Sequence, residues 1–473
     1  LDKMKVYDEE KLKAKFEKFA NGKQLAPMKN YLGNFILKTL RETHGKKMID
    51  LQLHEMMADA IILEKRGLDQ HALKKLKQIE GKALRYEKFP ILIDVCRRRV
   101  LLHFKLAQKG LATTVQEEYE LMEEALEKIN QTVRYEKGLH ELYVMLRTKN
   151  TIRTPEERAE VESMQPRVLQ DFVLDSYTFH ARIAHFFGHA VYHQLLGDRE
   201  NREKAVLYYK KVIELWERDP LFIQEYPKLF LVHASNYLTM TMVLGTLEQD
   251  EFDEVLDRMK AIEPSSFDEE AELFQTVEHI ELLYLANYPH SPQRRYDLRD
   301  SIREKIEKYQ SKINPGRLTS FYFNLGILFF LRGEYEESLE WFNEIYNMTG
   351  NDHRQDLQRV VRLLRLVVFV EGQDYAFAET TLDTTRKWLQ RTDNLLYDDF
   401  ERILLQGLRK VNSQPDPQGR RNAFEWLEEE LDEFRAANPK QRIIGLNEIQ
   451  FWVQAHLDPG GSTTPFDILQ ASK

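Results

Sequence analysis

The sequence predicts an all-α protein, a right-handed solenoid of helix–turn–helix repeats of irregular length. Three observations predict it. Residues 320–348, SFYFNLGILFFLRGEYEESLEWFNEIYNM, read as two amphipathic helices joined by one tight turn at Gly333. A hairpin of that kind cannot bury its own apolar face, so it calls for neighbours of the same kind. The same turn signature then recurs along the chain at a spacing of about 40 residues. Finally, the chain has only 15 Pro and 20 Gly in 473 residues, and no run of alternating β-branched residues long enough for a sheet.

In the 320–348 unit, Leu325-Gly326 sits midway along the first helix, with Phe329 three residues on. Tyr335, Ser338, Phe342 and Ile345 form the buried stripe of the second helix. Glu371 to Tyr375 repeats the turn and is followed by Ala378, Leu382 and Thr385. Glu248 to Phe252 does so earlier, followed by Val255 and Met259. A degenerate unit near Tyr296 fills the gap between Phe252 and Tyr335. In the first half, turns fall at Gly67, Gly110 and Gly197; with Gln249 and Gly372 they cover most of the chain. Arg85-Tyr-Glu-Lys88 recurs 49 residues later as Arg134-Tyr-Glu-Lys137, and each copy is expected to end one helix and lead into the next.

The 320–348 unit resembles the tetratricopeptide-repeat family, and the chain more loosely resembles bacterial tetratricopeptide-like proteins. The resemblance extends to 55–90, 100–150, 178–217, 232–262 and 360–390. It implies a solenoid with a concave groove that binds a peptide or protein.

Three regions are expected: net-basic N-terminal repeats over 1–150, net-acidic central repeats over 151–411, and C-terminal capping helices with a tail over 420–473. Residues 1–150 hold 30 basic and 22 acidic side chains, leaving 38 basic and 55 acidic in the rest of a chain with net charge −9. Two prolines in 148–166 and the stretch NSQPDPQG at 412–419 mark breaks. Two helices, Lys11 to Phe19 and Lys29 to Arg41, open the chain. At the other end, Phe424, Leu427, Leu431 and Phe434 share one face of a Glu-rich helix, and a last amphipathic helix runs from about Arg442 to Leu457.

Candidate site residues come from three helices. His185, His189 and His193 follow one another at intervals of four in FHARIAHFFGHAVYH. That spacing puts them on one helix face, where two histidines can chelate a metal. With no accompanying HExxH glutamate, a metal is not expected. Aligning Phe187-Gly188 with Leu325-Gly326 turns the stripe toward the groove, where it would touch a partner and titrate near neutral pH. Taking the register from Gly197 would pack it inside the unit. In the best repeat, Phe323, Asn324, Ile327 and Phe330 lie one step beyond the packing stripe. The resemblance implies that this face lines the groove, with Asn324 at a position that binds peptide backbone. Arg97, Arg98 and Arg99, with Lys105, form a basic patch that could meet phosphates; salt-paired helix surface is the alternative.

No phosphate-binding glycine loop, nucleophile elbow or outstanding carboxylate pair occurs. The expected function is therefore a non-catalytic scaffold that holds a peptide or protein, with no cofactor and no metal. A peptide-sensing regulator is the first alternative. A nucleic-acid-associated protein using the basic N-terminal third is the second, although nothing resembling a nucleic-acid module accompanies that charge. The lone Cys96 sits in an apolar helix segment and reads as a buried, inert thiol in a reducing compartment. No long apolar span and no signal-peptide core occur, so the expected location is the cytoplasm.

Overall fold

The computed structural model describes residues 25–45, 48–106, 110–149, 152, 154–168, 177–348, 354–372, 375–391, 399–438, 443–459 and 463–472. They form 21 helices and, among the described residues, no strand. The expected helix Lys11 to Phe19 lies outside them. The chain divides into two compact units, 1–227 and 228–473. The fold is all-helical and repeat-like.

The first unit holds α1 (Leu25–His44), α2 (Ile49–Lys65), α3 (Asp69–Arg85), α4 (Phe89–Leu106), α5 (Leu111–Lys149), α6 (Pro155–Val168), α7 (Phe179–Leu196), α8 (Arg199–Arg218) and α9 (Leu221–Glu225). Each of α2 to α5 packs on the next, and α7 packs on both α5 and α8. Leu53, Met57, Ala72, Leu76 and Val95 form one core; Ala83, Leu92, Cys96, Met122 and Ala125 form a second. On α1, Tyr31, Phe35 and Leu37 are all exposed.

The second unit holds α10 (Pro227–Leu244), α11 (Gln249–Lys260), α12 (Phe267–Asn287), α13 (Pro292–Tyr309), α14 (Pro315–Leu331), α15 (Tyr335–Asn347), α16 (Gln355–Glu371), α17 (Tyr375–Arg391), α18 (Asp399–Ser413), α19 (Pro417–Ala437), α20 (Leu446–Leu457) and α21 (Pro465–Ala471). One core runs from Phe323 on α14 through Leu364 on α16 and Leu404 on α18 to Trp452 on α20 and Phe466 on α21.

Local sequence chemistry explains most boundaries. Gly67, Gly110, Gly197 and Gly333 adopt left-handed φ at the expected turns, a conformation that costs glycine little. The expected turn at Gln249 centres instead on Gly245 (φ 71°), with Gln249 opening α11. Gly372 ends α16 in a right-handed conformation. Ser291-Pro292, Asn314-Pro315, Asp416-Pro417 and Thr464-Pro465 each start a helix with a capping side chain followed by proline. The α12–α13 pair occupies the place of the degenerate unit around Tyr296.

One repeat marker behaves differently in its two copies. The first ends α3 as expected: Glu87 takes a left-handed φ of 56°. Its Oε1 accepts from Phe179 N (2.7 Å), and Lys88 Nζ donates to Asp50 Oδ2 and Tyr226 Oη. The second copy, Arg134 to Lys137, lies inside the continuous helix α5. Phe89-Pro90 follows the first copy and Gly138-Leu139 the second. Only proline forbids the preceding turn from continuing.

Candidate functional site

The structure places the histidine stripe inside the first unit. His185 is 6% exposed and meets Tyr135 of α5 edge-on, with ring centroids 5.4 Å apart. His189 stacks on Tyr208 of α8 at 4.4 Å, and His193 stacks on the same ring at 5.6 Å. His193 Nδ1 lies 2.7 Å from Asn201 Oδ1. The stripe thus follows the register set by Gly197, and the groove-facing alignment is corrected.

The titration expected near neutral pH is corrected with it. Burial, then the charge of Lys211, holds His185 down at about 4. Burial, then the neighbouring histidines and Lys211, holds His189 at about 3. Burial also lowers His193, against the opposing hydrogen bond it donates to Asn201 Oδ1. These are neutral packing rings. No group of three metal-ligating side chains occurs among the described residues.

On α14 the four expected groove residues separate. Phe330 is fully buried, and Phe323 and Ile327 are 8% and 6% exposed. All three belong to the core shared with α16 and α20. No partner reaches them in this conformation, because residues far along the chain fold back over this face of α14. Asn324 is half-buried and faces α12, where its Nδ2 makes a long 3.5 Å contact with His279 Nδ1. Burial, then the charge of Arg317, depresses His279 to about 4. Its ring is therefore neutral, as the contact with an amide donor requires.

Asn324 shares its helix face with Ser320 and Arg317, at i−4 and i−7. Arg317 is half-buried, and burial lowers its pKa. Ser320 Oγ accepts from Arg354 Nη1 (3.1 Å), and Arg354 also pairs with Asp356 at the start of α16. A polar strip thus runs from His279 on α12, across Arg317, Ser320 and Asn324 on α14, to Arg354. Of its members the sequence pointed only to Asn324. The others become visible when helices about 40 residues apart are laid side by side.

The basic patch is mostly neutralised. Arg98 pairs with Glu64 and Asp94, Lys105 with Asp69, and Arg99 with Glu80 and Glu118. Arg97 is exposed. Nearby, α2 and α3 line an open cleft of about 730 Å³ bordered by Lys77, Lys82 and Arg85. Lys82 donates to Gln52 and Lys77 to Glu80. Cys96 is fully buried, and burial followed by the Glu118 carboxylate pushes its thiol up to about 12.

No family model, curated protein or solved structure matches this chain.

Proposed function

We propose that the chain is a non-catalytic scaffold of tetratricopeptide-like hairpins that binds a peptide or protein along the polar strip of its second unit. One packing pattern supports this most directly. Beyond sequential neighbours, α12 packs on α14, α14 on α16, and α16 on α18. Alternate helices side by side are what stacked hairpins produce: first helices in one layer, second helices in the other. His279 and Asn324 come from successive first helices and Arg354 immediately precedes the next, α16, so the strip crosses that layer. Half-buried amide, imidazole, hydroxyl and guanidinium groups can satisfy an extended backbone and its carbonyls with little reordering on binding.

The test uses the whole chain carrying a photo-crosslinking residue at position 324, expressed in its native cell, with a second sample carrying it at Lys204 on an exposed helix face. A defined protein crosslinked from 324, absent from 204 and lost when Arg317→Gln is added, supports the reading. Identical crosslinks from both positions would overturn it.

A further inference from the structure

Helix α16 carries Arg359, Arg362 and Arg365 in the apolar run RVVRLLRLVV. Arg359 is partnered: its Nε and Nη2 both donate to Glu401 Oε1, at 3.0 and 2.7 Å. The next two arginines meet aromatic rings instead. Arg362 Cζ lies 4.1 Å from the Trp388 ring centroid and 4.6 Å from that of Tyr346; Arg365 Cζ lies 3.7 Å from the same Tyr346 ring. Among the described residues neither guanidinium pairs with a carboxylate, and the Nε of each is buried without a hydrogen-bond acceptor.

Two like charges three residues apart, half-buried and without a carboxylate partner among the described residues, are costly. Burial, opposed by Tyr346 and reinforced by the charge of Arg362, lowers Arg365. Burial alone would raise the Tyr346 hydroxyl, but hydrogen bonding and charge from both arginines outweigh it and hold it below the usual tyrosine range. The site is open to solvent, because Tyr346 is 44% exposed. Guanidinium forks and a phenol hydroxyl converge there, and a dianion would cancel both charges where a carboxylate would leave one uncancelled.

We propose that Arg362, Arg365 and Tyr346 form a binding site for a dianionic phosphoryl group, flanked by Trp388. The stacking orients the forks in advance, so binding loses little side-chain freedom. A phosphorylated side chain and a free phosphate share this chemistry, and the experiment separates them.

Full-length protein is titrated at constant ionic strength with inorganic phosphate, sulfate, phosphoserine, acetate and chloride. Two readouts are followed: Tm, and the emission of Trp388 against a Trp388→Phe blank. Phosphate and sulfate are expected to raise Tm and shift the emission saturably, while acetate and chloride do neither. Arg362→Gln with Arg365→Gln should lose both responses while keeping or raising the ligand-free Tm, since a like-charge pair is gone. Should the double variant fail to fold, Arg365→Lys keeps the charge, loses the fork and is expected to weaken binding. A stronger response to phosphoserine assigns the site to a phosphorylated side chain, and a stronger response to phosphate to the free anion; either supports the site. Equal responses to phosphate and chloride, or a full phosphate response in the double variant, would overturn it.

Discussion

Gly326 lies so close to Phe342 that a Cβ built on it would fall 2.3 Å from the Phe342 Cε1 atom. The hairpin α14–α15 closes on this contact, and Ser338 Oγ, on the facing helix, donates to the Gly326 carbonyl at 2.8 Å. The hairpin α18–α19 uses the same device: a Cβ on Gly407 would fall 2.5 Å from Leu427 Cδ1. Gly326→Ala should therefore destabilise the protein by about 1–3 kcal/mol through overpacking. Gly81→Ala, where an added Cβ meets nothing within 4 Å, should stabilise by about 0.5–1 kcal/mol. Urea midpoints of the two variants check the pair, and a Gly326→Ala midpoint equal to that of the wild type contradicts the packing account.

The buried histidines make stability depend on pH. His185 and His189 are depressed to about 4 and about 3 in the folded chain, against about 6.5 when unfolded. Below pH ~6.5 the unfolded state therefore binds more protons, so stability is fully present above that pH and falls as pH drops toward the folded values. The urea midpoint should decrease between pH 7 and pH 5, and decrease less in His189→Gln. Parallel slopes in the two proteins would refute the assignment.

Arg99 is held between Glu80 and Glu118, which are 8% and 3% exposed. Arg99→Ala leaves both carboxylates buried without it and should cost about 3–5 kcal/mol, as breaking a buried ion pair does. Adding Glu118→Gln should recover part of the loss, and Arg97→Ala should cost little. Thermal melts distinguish this from a polyanion-binding surface, on which Arg99→Ala would leave Tm unchanged and weaken retention on a polyanion column.

Cys96 should be inert. Its thiol is fully buried and pushed up to about 12, so almost no thiolate exists at neutral pH. A colorimetric thiol reagent should react only after denaturant is added; fast reaction in the native protein would show that the α4 core opens.

Glu371 joins α16 to α20. Its Oε1 accepts from Trp452 Nε1 (2.5 Å) and meets His456 Nε2. Burial alone would raise this carboxyl, but His456 and Trp452 outweigh it and hold it below the ordinary carboxylate range. Its contribution is thus present above pH ~4.5 and lost as pH falls further. Glu371→Gln should speed amide exchange in Leu446–Leu457 more than in α12; a uniform change across the unit would show that the link does not hold α20.

Most helices and their glycine turns were legible because their causes are local. Left-handed glycines and 3.6-residue apolar stripes act within a few residues of one another. The buried face of α19 (Phe424, Leu427, Leu431 and Phe434) was readable for that reason. So was the inert setting of Cys96. The helix Pro465–Ala471 was not: Asp458 to Pro465 reads as loop by composition, yet Thr464 and Asp467 form a capping box just before Phe466 enters the core.

By itself, the sequence determined an all-helical chain, the turns at Gly67, Gly110, Gly197 and Gly333, and the tight Gly326 hairpin. Only the tertiary structure decided which faces remain available. Phe323, Ile327 and Phe330 look free in an isolated hairpin, but they are covered by α16 and by α20, which returns from more than 100 residues away. Conversely, Arg362 and Arg365 look like ordinary helix-surface charges until Tyr346 and Trp388 are placed on either side of them. The physical reason is the same in both cases: burial and charge compensation depend on neighbours distant in sequence, and no local pattern records them.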